Sequence, residues 1–351
     1  MPGPRMSEFR RDPITGRWRI VAEGRSARPD EYRAPSSSRS ADAEDCPFCE
    51  GREGRTPPEI AAVRPSGSVA DAPGWTVRSI PNRFPTVDGV GTEGATAGSD
   101  LFQRAAGAGL HEVIVTSPAH APGLPHFPPS HLRELFRFFR ERVRDLAARP
   151  SIHSVLLLEN AGPESGGTLL HPHVQLVATE TVPFRLIEEL EGLRRIADSG
   201  PGDCGLESVV AAEARAGERI VANDEHFAVL APFASEHPYE IWIVPHRHVS
   251  TFAAASDGEV DRLAELLPAV LRALDGVRPG ASYNWYIHGL EPPPGTGSGF
   301  HWHVEVAPRL LRVDGYELGA GTPVNPVPPE RAAAELRAQL EKERSSAPQK
   351  R

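Results

Sequence analysis

Short apolar runs bounded by turn residues recur along the 351-residue chain, and runs of that length predict strands. They fall at 18–21, 111–117, 155–158, 174–177, 227–230, 240–244, 283–287 and 302–306. Elsewhere the apolar period lengthens to that of a helix. Leu132, Leu135, Phe136, Phe139, Val143 and Leu146 share one helical face, with Ser130 placed to cap it. Val260, Leu263, Leu267, Val270 and Leu274 mark a second helix, which Pro268 is expected to kink. Further helices are predicted over 184–197 and 329–342. Small polar residues at 34–45 predict a loop or disordered segment, and 88–109 reads as a Gly-rich loop.

The order of these elements repeats. HEVIVTSPAH (111–120) parallels YEIWIVPHRH (239–248), and LHPHVQL (170–176) parallels FHWHVEV (300–306). His120 maps to His248 at an offset of 128, and His171 and His173 map to His301 and His303 at an offset of 130. The expected fold is α+β: two copies of one unit, each an antiparallel sheet covered by helices. The units would span 1–198 and 199–343, with 344–351 a disordered tail.

Composition narrows the chemistry. The formal charge is −9, which argues against a nucleic-acid partner. Only two lysines occur, Lys342 and Lys350, so a Schiff-base lysine and a P-loop are excluded. No apolar run approaches membrane-spanning length, and the first residues lack a secretory stretch. Three cysteines among 14 histidines fit a reduced cytoplasmic chain with a metal site better than a disulfide framework.

Cys46 and Cys49 have the spacing of a zinc knuckle. His120 and His171, each at the end of a strand in the same half, could complete a tetrahedral structural zinc site. The repeat suggests a second zinc or iron site from Cys204, Glu207, His248 and His301. In a strand, His171, His173 and Gln175 share one face. If His171 holds zinc, His173 is rigidly mounted beside it. A neutral imidazole there is a competent nucleophile toward phosphorus. The preceding loop 160–168 (NAGPESGGT) offers backbone N–H groups and the hydroxyls of Ser165 and Thr168 to phosphate oxygens.

These residues resemble galactose-1-phosphate uridylyltransferases, a branch of the histidine-triad superfamily. The resemblance rests on RSARP (25–29), CPFC (46–49), PNRFP (81–85), VIVTSPAH (113–120), EN-x10-HPHVQ (159–175), HWH (301–303) and GYE (315–317). It implies that His173 forms a nucleotidyl-histidine intermediate and that Gln175 holds the phosphoryl oxygens. It implies phosphate binding by Arg25 and Arg28. Nucleotide contacts are implied for Asn82, Asn160 and Thr168, and a sugar-side segment at Tyr316 and Glu317 that reaches a neighbouring subunit's site in a homodimer. For the second metal it offers His288, His301 and His303 with Glu189, or Cys204, Glu207, His248 and His301. The implied reaction moves UMP from UDP-glucose to galactose 1-phosphate by a ping-pong route. Leu311 and Pro323 stand where galactose-specific members carry Lys and Gln. The segment after Glu317 resembles ADP-glucose phosphorylases, which use phosphate as acceptor.

Overall fold

The computed structural model describes residues 7–27, 45–89, 97–98, 101–120, 123–167, 169–200, 202, 204–290 and 299–346. Arg28, Thr168, the stretch 34–44 and residues 347–351 lie outside the described residues. The strands in chain order are β1 (Glu8–Arg11), β2 (Trp18–Val21), β3 (Ala61–Val63), β4 (Val77–Pro81), β5 (Ala97–Gly98), β6 (Gln103–Arg104), β7 (Gly109–Val115) and β8 (Ser154–Ala161). They continue with β9 (His173–Thr179), β10 (Ile220–Asn223), β11 (Phe227–Leu230), β12 (Ile241–Pro245), β13 (Tyr283–His288), β14 (His303–Pro308) and β15 (Val324–Asn325). The helices are α1 (Pro129–Ala147), α2 (Phe184–Ser199), α3 (Gly205–Ala216), α4 (Asp257–Val277), α5 (Gly315–Ala320) and α6 (Pro329–Ser346).

Among the described residues, ten strands form one sheet in the order β10-β11-β12-β14-β13-β8-β9-β7-β4-β3, every pairing antiparallel. The expected α+β architecture is present, with one refinement. The two halves do not keep separate sheets but join where β13 pairs with β8, with Trp285 opposite Glu159 and Asn284 opposite Asn160. Pairing there removes an exposed edge from each half. Outward from this seam, β9 and β14, then β7 and β12, occupy matching places. A second sheet, β1-β2-β15, runs parallel at β2–β15.

The two faces of the large sheet differ because side chains alternate along each strand. One face carries Ile114, Leu157, Val174, Leu176, Ile287 and Val304, all buried against α1 and α4. The helix stripes read from the sequence, Leu132 to Leu146 and Val260 to Leu274, are the surfaces that meet it. Each such Leu, Val or Phe contributes about 1.5–3 kcal/mol by leaving water. The other face carries His111, Gln175, His173, Asn160, Asn284, Tyr286, His288, His303 and Glu305. Over the second half it is sealed by a smaller core that includes Ile14, Leu186, Leu193, Trp242 and Phe300. Over the first half His173 and Gln175 stay partly accessible.

Several local readings need correction. Ser130 does not cap α1: the helix starts at Pro129, and no side chain bonds its first turn. A proline at the first helical position has the right φ already and lacks only an N–H that would go unused. Ser256 does cap a helix, α4, in a reciprocal box with Glu259. Pro268 lies inside α4, as read from the sequence. Helices α3 and α5 have no counterpart among the elements the sequence pattern predicts.

Candidate functional site

β9 begins at His173, and its entry is fixed from β7. The Thr116 hydroxyl and N–H both donate to the Pro172 carbonyl, at 2.9 and 3.2 Å. The His173 Nδ1 lies 2.8 Å from the carbonyl oxygen of His171. A carbonyl only accepts, so Nδ1 carries the proton and Nε2 keeps its lone pair. Burial pushes the His173 imidazole below its ordinary pKa, which favours the neutral ring at pH 7. Phe48, from the Cys-Pro-Phe-Cys turn, packs edge-on against both His171 and His173. Gln175 follows on the same face, and its Oε1 lies 2.8 Å from Nε2 of His111 on β7. In the sequence His111 stands only as the first residue of the 111–117 strand and of the repeated segment 111–120.

The loop after β8 is shaped from the other half of the molecule. Asn284 Nδ2 on β13 donates to Asn160 Oδ1 at 2.6 Å and to the Ser165 carbonyl at 2.9 Å. Gly162 and Gly166 hold φ of +85° and +89°, the left-handed region that favours glycine. The Ser165 hydroxyl closes this turn by donating to the Gly162 carbonyl at 2.6 Å. Asn82 forms its own turn, its Oδ1 accepting from the Phe84 N–H at 2.8 Å.

Cys46, Cys49, His120 and His171 converge, their ligand atoms within 4.8 Å of one another. Sγ-to-Nδ1 separations are 3.5 and 3.6 Å to His171 and 3.9 Å from Cys49 to His120. Zinc–sulfur and zinc–nitrogen bonds of ~2.3 and ~2.05 Å at a tetrahedral angle would set these near 3.6 Å. His171 Nε2 donates to the Ser117 carbonyl at 2.8 Å, which leaves Nδ1 unprotonated toward the thiols. Burial pushes His171 down to about 4, so the ring is in its ligating form. This donor set fits zinc, which when bound would pin the knuckle and the start of β9 under His173.

In the second half the histidines divide differently from expectation. Cys204, His248 and His301 form one cluster, with Cys204 Sγ 3.3 Å from His301 Nδ1. Glu207, in the first turn of α3, is not among the residues of this cluster. His301 in turn does not join His288 and His303. Those two cluster with Glu189 and with Glu305, a residue not singled out from the sequence. His303 Nδ1 donates to the His301 carbonyl at 3.0 Å, the same arrangement as His173 with His171. Its Nε2 therefore faces Glu305 Oε1 at 3.3 Å, acceptor toward acceptor, which calls for a cation: a proton or a metal. Burial works against protonation of His303, but the Glu305 and Glu189 carboxylates hold its pKa above the ordinary value. Arg185 spans both carboxylates, at 3.1 Å to Glu189 and 2.7 Å to Glu305.

Arg25 bonds Asp314 at 3.2 Å. Asp314 caps α5, and Glu317 completes the box by accepting from the Asp314 N–H at 3.0 Å. The other Glu317 oxygen accepts from the Val324 N–H at 2.9 Å. Glu317 is thus engaged in holding α5 and β15, whereas Tyr316 is exposed beside it.

The family model described as galactose-1-phosphate uridyl transferase, N-terminal domain, matches residues 4–183. An ADP-glucose phosphorylase of Arabidopsis thaliana is 30% identical, with 94% of this chain and 92% of that one covered. A galactose-1-phosphate uridylyltransferase of Thermotoga maritima is 28% identical, covering 95% of this chain and 98% of that protein. The crystal structure of an Arabidopsis thaliana ADP-glucose phosphorylase with bound ADP-glucose superposes with a TM-score of 0.79 at 29% identity, over 95% of this chain and 98% of that one.

Proposed function

The chain belongs to the galactose-1-phosphate uridylyltransferase family, and from that premise we propose that it transfers a nucleotidyl group through a covalent bond to His173. The observation that carries this reading is the His173 Nδ1–H bond to the His171 carbonyl, which fixes the tautomer and leaves Nε2 as the nucleophile. The Nε2 lone pair attacks the α-phosphorus of a nucleotide-sugar. The bond from that phosphorus to its bridging oxygen breaks, and sugar 1-phosphate leaves with the electron pair. The ring gains positive charge, which the His171 carbonyl stabilises. An oxygen of the second acceptor then attacks phosphorus and the pair returns to Nε2. Gln175 binds phosphoryl oxygens but, as an amide, cannot protonate a leaving group, which favours transfer over hydrolysis. Asn160 and the loop that Asn284 braces, with Asn82, receive the nucleotide. Arg25, Arg28, Ser165, Thr168, Tyr316 and Glu317 belong to the substrate side, and the enzyme works as a cytoplasmic homodimer with a structural zinc.

For substrates we read UDP-glucose as donor and galactose 1-phosphate as acceptor. A second reading, phosphorolysis with phosphate as acceptor, has specific support in Leu311 and Pro323 and in the relative named ADP-glucose phosphorylase. Incubation with nucleotide-sugar labelled at the α-phosphorus should leave acid-labile label on His173. A His173→Ala protein that still exchanges label would sink the proposal. Turnover of UDP-glucose and ADP-glucose with galactose 1-phosphate, phosphate or water separates the two substrate readings.

A further inference from the structure

His111 sits on β7 diagonal to Gln175 on β9: Val113 is directly opposite Gln175, and His111 is opposite Val177. Diagonal neighbours on one sheet face are within reach of long side chains. The ring is 8% exposed and bonded at both nitrogens. The Thr86 backbone N–H donates to Nδ1 at 3.0 Å. A backbone N–H has no alternative role, so Nδ1 accepts and a neutral ring carries its proton on Nε2. That proton needs an acceptor. Asn82 Nδ2 lies 3.0 Å away, but the Asn82 oxygen is committed to the Phe84 N–H, so this amide presents N–H groups. The Gln175 Oε1 at 2.8 Å is the acceptor.

We propose that His111 is a positioning residue: it relays the fixed polarity of the Thr86 N–H to Gln175, holding the amide oxygen back and leaving its N–H groups to meet the phosphoryl oxygens of the group on His173. A free amide can turn over and present its oxygen to an anion, which would repel it. Pinning the oxygen removes that orientation before substrate arrives. The role rests on the reading of His173 as the nucleotidyl carrier.

Two measurements test it. Nitrogen-15 NMR of imidazole-labelled resting protein at pH 7 should show His111 neutral with its proton on Nε2. A proton on Nδ1 would overturn the relay, whatever the protein's activity. In pre-steady-state labelling, His111→Phe should slow nucleotidyl-enzyme formation tenfold to a hundredfold with a smaller change in donor KM. Placed on a Gln175→Ala background, the same change should cost no further rate, because His111 acts only through Gln175. Additive losses would overturn the proposal and mark His111 as merely structural. If His111→Phe fails to fold, His111→Gln, which keeps a donor, should retain more rate than His111→Ala; equal rates would overturn it. Retained exchange in His173→Ala would remove the functional reading while leaving the NMR result standing.

Discussion

Gln175 and Glu305 occupy matching places in the two halves, two residues after a histidine whose Nδ1 bonds the carbonyl of the residue two before it. One atom separates an amide from a carboxylate, yet the outcomes are opposite. An amide offers N–H groups to a phosphoryl oxygen; a carboxylate offers only negative charge. Glu305 is matched instead by Arg185 and by the Tyr286 hydroxyl at 2.7 Å. Gln175→Glu should therefore fold normally, since His111 can donate to either side chain, and lose nucleotidyl transfer by at least about a hundredfold. Stopped-flow or label transfer at pH 7.5, with circular dichroism as the control, checks it; transfer within threefold of the parent refutes it. At this scale the sequence was informative where spacing alone sufficed. His173 and Gln175 stand two apart on one face, and the repeat maps Gln175 onto Glu305. His111 was not legible, because its contact with Gln175 spans 64 residues and exists only in one register. Cys-x-x-Glu has a chelate spacing, but Glu207 lies in the first turn of α3 outside the Cys204, His248 and His301 cluster.

Turns and strand ends set the site's rigidity. The knuckle at 46–49, the end of β7 near His120 and the start of β9 near His171 meet at one ligand set. Removing a thiolate there loosens three segments at once. Cys46→Ser should release bound zinc, seen by elemental analysis, and lower Tm by roughly 5–10 °C. A zinc content near zero in the parent protein would contradict the assignment. The loop after β8 depends on β13 in the same way. Asn284→Ala strips the brace from Asn160 and from the Ser165 carbonyl, leaving both acceptors to water. Donor KM should rise about tenfold while Tm falls only a few degrees, because the loss lies at a partly exposed loop. An unchanged KM would show that the loop is set by its own glycines. The loop's glycine content was readable, but its support was not, since Asn284 lies 124 residues from Asn160.

Joining two halves through β8 and β13 makes one core from both, with α1 and α4 residues in a single cluster. Local patterns gave the strands and helices on each side, but a register between distant strands leaves no periodic trace, and the seam was not foreseen. Buried at that seam, Glu159 accepts a hydrogen bond from the Trp285 indole N–H. Burial pushes Glu159 up to about 7, and the indole bond only partly offsets this. The folded-state value is thus above the ordinary carboxylate value of 4.5. Between pH 4.5 and 7 the folded chain holds a proton that the unfolded chain has given up, so stability falls as pH rises through this window. Above pH 7 the full penalty, about 3 kcal/mol, is present; below pH 4.5 it vanishes. Glu159→Gln keeps an acceptor for Trp285 and mimics the protonated acid at every pH. It should raise Tm at pH 8 by several degrees and leave it nearly unchanged at pH 4.5, in one cooperative transition for the whole chain. Calorimetry at the two pH values decides it: an equal shift at both would show that the charge is not what strains the seam.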